Sequence, residues 1–465
     1  MNSDQVFSLV ERIAATPSKL EKIQQLAECE HDALMRRVLT YAMEPGRTYG
    51  MAARPQLPTG AVDANREREL FDERTWQILD TMAKRDLTGN AARDMVIKEM
   101  ARLTPDSAEL FWRIIANDLR AGLGDATVNK AMPGLIVEYP YMRCSLPRKS
   151  NIKQFPWQRG VYSQLKANGL FASTNFHVSG EVDLLTRAGT RFPQDPFCDM
   201  INEIKASMVP GFQYQGELLV MQGGVILPRK TGNGLLNGVA RGGELPKGAA
   251  PLYVLWDRVP LEAVRPGGRH DQPYYKRFGH LQSMLSGSGS FMRLIDTKIV
   301  YSFAEAYRHY KEVVGFREEG TVVKSPDLMW ADHTSKDAVK LKVEATCDLR
   351  ITGIVPGKEG RKNAGRAGSL TCESECGQVR VDVTVKNEKM RAAIDHGWIG
   401  RIIAVTFNEI SEPSKSNDRY SLFLPRFEID TYRADKRAAD DLQRVVEQFE
   451  AAKNMDDLGL MLEAA

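Results

Sequence analysis

The chain has 465 residues, 43% of them hydrophobic and 26% charged, with a formal net charge of +3. That length exceeds one small core and predicts roughly two to four domains, and the composition is that of a globular protein. No stretch approaches the ~18 uninterrupted apolar residues of a membrane span, and MNSDQVFSLVERIAA lacks the basic-then-apolar pattern of a secretory leader. The six cysteines are scattered, which predicts reduced thiols in a cytoplasm and no disulfide framework.

In chain order, residues 1–135 read as an all-α domain. VFSLVERIAA, KLEKIQQLAECEHDALMRRVLTYAM, RERELFDERTWQILDTMAKR, ARDMVIKEMARL and SAELFWRIIANDL carry apolar residues three and four apart. The domain ends in RAGLGDATVNKAMPGL, a Gly-containing link. Such a turn can aim backbone N–H groups, with Arg120 or Lys130, at a phosphate, or can simply join two helices. Residues 136–160 are rich in Pro, Lys and Arg and read as a linker.

Residues 161–343 mix strand-like and helix-like segments, an α+β domain. Within 344–433, CDLRITGIVP, GSLTCESEC, QVRVDVTV, RIIAVTFNEI and YSLFLPRFEI read as short strands, with EKMRAAID a helix among them. That pattern predicts a small barrel of the oligonucleotide-binding kind. Residues 434–465 read as a helical tail with Leu442, Val445, Val446 and Phe449 on one face. Glycine- and cation-rich loops are expected at 228–243 and 357–368, and no internal repeat is visible.

Charge is unevenly spread. Residues 151–343 hold 24 Lys and Arg against 18 Asp and Glu, whereas residues 428–465 hold 5 against 10. A basic middle suits a phosphate-rich ligand held centrally, although simple drift in charge gives the same numbers. Phosphate loops of the GxxxxGK[ST] kind, HExxH and CxxC pairs are all absent, and Cys372 and Cys376 have no second pair to complete a zinc site.

What remains is a series of short motifs on strand ends. QLKANGLF places Lys166 at the end of an extended run, before what reads as a tight Asn-Gly turn. TRAG follows with Arg187, GELL with Glu217, and LYVLWD with Tyr253, Trp256 and Asp257. EEGTVVK gives Glu319 and Lys324. KLK puts Lys340 and Lys342 on one face of a strand, and RADK supplies Arg433, Asp435 and Lys436. Singly, each has a bland reading as a solvated strand end or exposed edge. Together, cations, two carboxylates and an aromatic on one domain are what a nucleoside triphosphate site needs.

The series resembles the covalent nucleotidyltransferases and, within them, the ATP-dependent DNA ligases of tailed-phage type. KANGLF stands where that family has Lys-x-Asp-Gly-x-Arg; TRAG, GEL, VLWD, EEGTVVK, KLK and RADK follow in the family's order. LRAGLGDATVNKAMPGLI, RKTGNGLLNG and ESECG also look like parts of the phage-type enzymes. The resemblance runs from about residue 110 to 437. It implies a multidomain α+β protein: an N-terminal all-α DNA-binding domain, a central nucleotidyltransferase (adenylation) domain and a C-terminal oligonucleotide-binding β-barrel.

The resemblance also implies roles. Lys166 would attack the α-phosphate of ATP and become lysyl-AMP. Gln164 and Leu165 would lie against the nucleotide, Arg187 and Glu217 on its ribose and phosphate side, and Tyr253 would stack on adenine. Glu217 and Glu319 would hold Mg²⁺ or Mn²⁺. Lys340 and Lys342 would bind the triphosphate, and Arg433, Asp435 and Lys436 would close over the leaving pyrophosphate. The substrate would be nicked double-stranded DNA in the cytoplasm, that of a host if the protein is a phage's, with the chain acting as a monomer and no membrane involved. Arg120, Lys130, Arg229, Lys230, Arg241, Lys358, Arg361, Lys362 and Arg366 are the expected DNA-backbone contacts.

Chemistry agrees with the first role. A lysine is nucleophilic only when neutral, and an ordinary one is neutral in about one molecule in a few thousand at pH 7. Burial and neighbouring cations favour the neutral form. Two positions depart from the family pattern: its Asp is Asn168, and its Arg is Phe171. Asn168 keeps the shape and a carbonyl but loses the charge, and Phe171 cannot donate to a phosphate. The readings left open are an RNA ligase or capping-type nucleotidyltransferase, and a non-catalytic nucleic-acid-binding relative.

Overall fold

The computed structural model describes all residues except 17, 52, 59–66, 241–242, 287–288, 317, 358–365, 386–387, 414–416, 428–431 and 455–465. Two compact units emerge, the first built mainly from Met1–Glu138 and the second from Tyr139 onward. No helix of the described residues is long and apolar enough to cross a membrane.

The first unit is made of the helices Ser3–Ala15, Lys19–Ala27, Ala33–Met43, Glu73–Ala83, Gly89–Arg102, Pro105–Ile115 and Asp125–Ala131. Their apolar stripes meet in one core, with Val6, Val10, Ile13, Leu39, Leu79, Val96 and Phe111 buried. The run that reads as continuous from 19 to 43 is two helices. The first ends at Ala27, and Asp32 caps the second, accepting the Met35 N–H at 2.8 Å and pairing with the N-terminal ammonium at 2.5 Å. The segment before Glu73 is not helical; Asp72 caps there by accepting the Thr75 N–H.

The second unit carries two sheets. The first has strand order Arg143–Ser145, Thr334–Lys342, Gly320–Lys324, Val161–Leu165, Thr297–Val300. The second runs Val182–Thr186, Leu170–Phe176, Phe212–Gln222, Ala249–Pro260, Met292–Leu294, with Val225–Ile226 added beside Phe212–Gln222. Period-two alternation divides every strand between two faces. From the first sheet, Val161, Val323, Val339 and Leu341 pack outward on the helix Phe303–Gly315 through Ala306, Tyr310 and Val314. From the second sheet, Ala172, Leu218, Val220, Tyr253 and Leu255 pack outward on Cys198–Ser207 and Arg229–Ala240. Leu252, Val254, Tyr274, Phe278 and Ala338 fill the space between the sheets, joined by half-buried Tyr162, Leu165, Leu219 and Trp256.

Two expectations change here. Asn168 and Gly169 do not close a hairpin: Val161–Leu165 and Leu170–Phe176 belong to different sheets, so residues 166–169 are a crossover between them. RKTGNGLLNGVA is a helix, not a loop, because Gly232, Leu236 and Val239 recur at helical spacing and are buried.

Beyond residue 344 the chain forms an antiparallel sheet in the order Arg380–Thr384, Ala367–Glu373, Ala345–Pro356, Ile402–Phe407. A separate pair, Glu409–Ser411 with Ser421–Phe423, is linked to it by single bridges such as Val379 to Tyr420 and Thr406 to Arg426. Among the described residues these strands do not close into the expected barrel. The helix Leu442–Asn454 packs Val445, Leu442 and Phe449 on this sheet, with Phe449 stacked on Phe407 at 5.8 Å.

Beside the inter-sheet core lies a fully buried ion pair. Arg277, 0% exposed, holds Asp257, 1% exposed, by bonds of 2.8 and 2.9 Å, and also donates to the Leu328 carbonyl. Removing one partner strands a buried charge. Asp257→Ala is therefore expected to lower stability by about 3–5 kcal/mol, read as a fall in the denaturant midpoint of the second unit. An unchanged midpoint would contradict this account of the pair.

Candidate functional site: a lysine at the crossing between two sheets

Lys166 is the first residue of the crossover. Its backbone N–H donates to the Gly320 carbonyl at 2.8 Å, which fixes it against the neighbouring strand. Its ammonium meets Glu319 at 2.6 Å, with both side chains about a quarter exposed. Three residues on, Gly169 passes so close to Phe212–Gln222 that a Cβ there would sit 2.3 Å from the Leu218 carbonyl oxygen. Only glycine fits, and its N–H donates to Glu217 Oε1 at 3.2 Å, while its carbonyl accepts from Asn233. The crossover thus brings Glu319 from one sheet and Glu217 from the other to one lysine.

Glu217 lies opposite Phe171 and Val254 in the second sheet. Burial pushes its carboxyl up to about 7, opposed by the positive charges of Lys166 and Arg187 and by the Gly169 N–H, and assisted by Glu319. The Asn168 side-chain carbonyl oxygen is buried and has no hydrogen-bond partner among the described residues. A buried acceptor left unpaired costs free energy and marks a place where a donor or cation belongs.

The paired lysines sit on the neighbouring strand. Lys340 lies opposite Val322 and Lys342 opposite Gly320, both on the inter-sheet face. Lys342 bonds Asn408 and Glu344 at 3.1 and 3.2 Å, and burial lowers its pKa. Lys324, which the sequence reading noted without a role, is 5% exposed on the same face and donates to the Tyr274 hydroxyl at 3.1 Å. Burial pushes it down to about 8.

Several expected site residues lie elsewhere or face another way. Gln164 is buried, with its amide tied to Thr297 at 3.0 Å and to the Tyr274 hydroxyl at 2.9 Å. Leu165 is half-buried in the inter-sheet core. Tyr253 corrects the expected adenine stacker: it is 0% exposed, on the outer face of its sheet, and its hydroxyl reaches the Ala172 and Tyr214 carbonyls. Trp256, three residues on and of opposite parity, is the aromatic that faces the site. Counting parity along LYVLWD would have found it.

Arg433 and Lys436 are not beside Lys166. Both pair with Asp348, Arg433 at 3.1 Å, and Arg433 also grips Asp435 at 2.9 and 3.0 Å. Asp440 ties the same segment to Asp348: its N–H donates to the Asp348 carbonyl and its carboxylate accepts the Asp348 N–H, each at 2.8 Å.

The expected DNA contacts divide likewise. Arg120 holds a left-handed backbone (φ 56°), bonds Glu109 at 3.2 Å and lines a cavity of about 560 Å³ with Arg47, Asn117 and Gly122. Lys130, Lys230 and Arg366 are exposed. Arg229 lies over the Phe423 ring at 4.5 Å. Arg241, Lys358, Arg361 and Lys362 lie outside the described residues.

The α+β core thus holds a lysine at the crossing between two sheets, with a carboxylate from the side of each. Residues 148–342 match the family model of the ATP-dependent DNA ligase domain. The chain is 27% identical to the DNA ligase of Enterobacteria phage T4 over 494 residues, covering 96% of this chain and 99% of that protein. The DNA ligase of Enterobacteria phage T6 matches to the same extent. Among solved structures, Pmar-Lig_PreS3 shares the fold with a TM-score of 0.69 at 19% identity, over 92% of this chain and 99% of that one. Residues 148–342 thus carry the match to an ATP-dependent DNA ligase domain, and the chain is similar to phage DNA ligases over nearly its whole length.

Lys324 makes a prediction independent of catalysis. Its ordinary value is 10.5 and its folded value about 8, so between those values the unfolded chain binds a proton that the folded chain does not. Stability from this group therefore rises with pH across that window. Lys324→Met is expected to be more stable than wild type at pH 7, by up to about 3 kcal/mol, with the gap vanishing near pH 10.5. Denaturant titrations across pH check this; a pH-independent gap would contradict it.

Proposed function

We propose that this ligase seals nicks in duplex DNA with Lys166 as the nucleophile. The observation that carries the reading is the Lys166–Glu319 contact at 2.6 Å, at a crossover that Gly169 also ties to Glu217. Lys166 Nζ, once its proton has left, attacks the α-phosphorus of ATP. A P–N bond forms as the P–O bond to pyrophosphate breaks, and pyrophosphate leaves with the electron pair. Glu319, 2.6 Å from Nζ, would receive the proton before it takes up its metal role. A 5′-phosphate oxygen of the nick then attacks the same phosphorus, the P–N bond breaks and the lysine recovers a proton. Finally the 3′-hydroxyl oxygen, losing its proton to water, bonds the 5′-phosphorus as the P–O bond to AMP breaks and AMP leaves with the electron pair.

The donor set fits a divalent cation. Glu217 and Glu319 offer only oxygen, the Asn168 carbonyl is unpartnered, and no group of three or more metal-ligating side chains is found among the described residues. Such a site suits a hard ion that takes one or two carboxylates and completes its shell with phosphate oxygens and water. When bound, Mg²⁺ or Mn²⁺ would neutralise charge on the transferring phosphoryl group. Glu217 must be ionised to contribute.

Trp256 is the side chain we assign to stack on the adenine, in place of Tyr253. Lys340 and Lys342 supply positive charge toward the phosphates. Arg433 and Lys436 would have to leave Asp348 to join them. We further assign the helices before residue 135 to gripping the duplex and the segment after 344 to an oligonucleotide-binding role. The protein would act as a monomer, in the host cytoplasm if it serves a phage.

Sealing of a nicked DNA duplex in ATP and Mg²⁺, alongside the same nick in RNA, tests the reading. Wild type is expected to seal DNA in preference to RNA. Glu217→Gln is expected to lose at least about 10²-fold in rate, the scale for removing one preorganised electrostatic group. Equal sealing of RNA would favour the RNA-ligase alternative; no sealing and no AMP uptake would favour a binding protein.

A further inference from the structure

Phe171 stands where the family pattern has an arginine, and the structure shows what surrounds it. Its ring lies 5.9 Å from Tyr141 and 5.9 Å from Trp256, tilted to both. The Arg187 guanidinium sits over both the Tyr141 and Phe171 rings, at 5.3 and 5.4 Å. Arg143 covers Tyr141 as well, at 4.7 Å, and reaches Asp332 at 3.8 Å. Arg187 itself has no hydrogen-bond or ion-pair partner among the described residues, yet its charge is felt at Glu217. A guanidinium held by its face on aromatic rings keeps its in-plane N–H donors free. Free, planar, paired donors are what a phosphate oxygen pair accepts.

We infer that Tyr141 and Phe171 are positioning residues, a pair of rings that hold Arg187 with its donors toward the α-phosphate at Lys166. The chain has lost a donor at position 171 and uses the ring there to fix a donor from the next strand. This deepens the proposed function and rests on ATP occupying the groove beside Lys166.

Equilibrium binding of ATP and of adenosine in a Lys166→Ala background tests it without requiring catalysis. Phe171→Ala is expected to weaken ATP about tenfold, the upper range of a cation–π contact of this kind, and to leave adenosine unchanged. Arg187→Ala is expected to weaken ATP at least as much, and the double variant no more than Arg187→Ala alone, because Phe171 acts through Arg187. Phe171→Tyr is expected to restore wild-type affinity. Losses that multiply in the double variant, an equal loss for adenosine, or full affinity in Phe171→Ala would each overturn the inference. If ATP binding follows the expected pattern but the protein with Lys166 intact never gains AMP, the bracket stands and the covalent reading falls.

Discussion

Everything in the site hangs on how residues 166–169 cross from one sheet to the other. The crossing is pinned at both ends by its own N–H groups: Lys166 donates to the Gly320 carbonyl, and Gly169 to the Glu217 carboxylate. It is also sterically unforgiving. Gly169 passes within a Cβ radius of the Leu218 carbonyl, and Gly320, at φ 140°, does the same against the Leu341 carbonyl. Gly169 thus lets the crossover lie tight against the second sheet, and Gly320 lets the strand that receives Lys166 lie tight against its neighbour in the first. Replace the crossover by an ordinary hairpin and Glu319 and Glu217 would no longer converge.

That convergence sets the electrostatics. One carboxylate pairs with the lysine, while the other is desolvated until its affinity for a proton approaches neutrality. Cations crowd the same face: Lys324, Lys340 and Lys342 from one sheet, with Arg187 from the end of the other. Among the described residues a groove of this kind is poorly satisfied by itself, with the Asn168 carbonyl oxygen unpartnered and Arg187 lying over two rings without a hydrogen-bond acceptor. It is well suited to a ligand that brings many phosphate oxygens. By contrast, Arg433 and Lys436 are fully engaged by Asp348 and Asp435 in the C-terminal region. The site described here is thus the part that the two-sheet core builds by itself.

Much of this was legible in the sequence. The motifs on strand ends gave Lys166, Arg187, Glu217, Glu319 and the Lys340/Lys342 pair, because strand parity and motif order survive without coordinates. The helical first unit was legible from its apolar spacing, apart from the break between Ala27 and the helix that Asp32 caps. What failed were questions of partner. Asn-Gly between two extended runs reads as a hairpin, and nothing local reveals that the runs join different sheets. Tyr253 came from the family resemblance, whereas strand parity along LYVLWD puts Trp256 on the face of Leu252 and Val254. Three glycines concealed the helix Arg229–Ala240, whose stability comes from burying Leu236 and Val239. The C-terminal strands were recognised individually, but closure depends on long-range pairing that sequence spacing does not encode.

The central claim is that Lys166, and no other lysine of this cation-rich groove, carries the nucleotide. The direct measurement is peptide mapping by mass spectrometry after incubation with ATP and Mg²⁺, without acid treatment, since a phosphoramidate is acid-labile. The account predicts one AMP per chain, on the peptide containing Lys166. AMP on Lys324, Lys340 or Lys342, or none in protein first stripped with pyrophosphate, would contradict it.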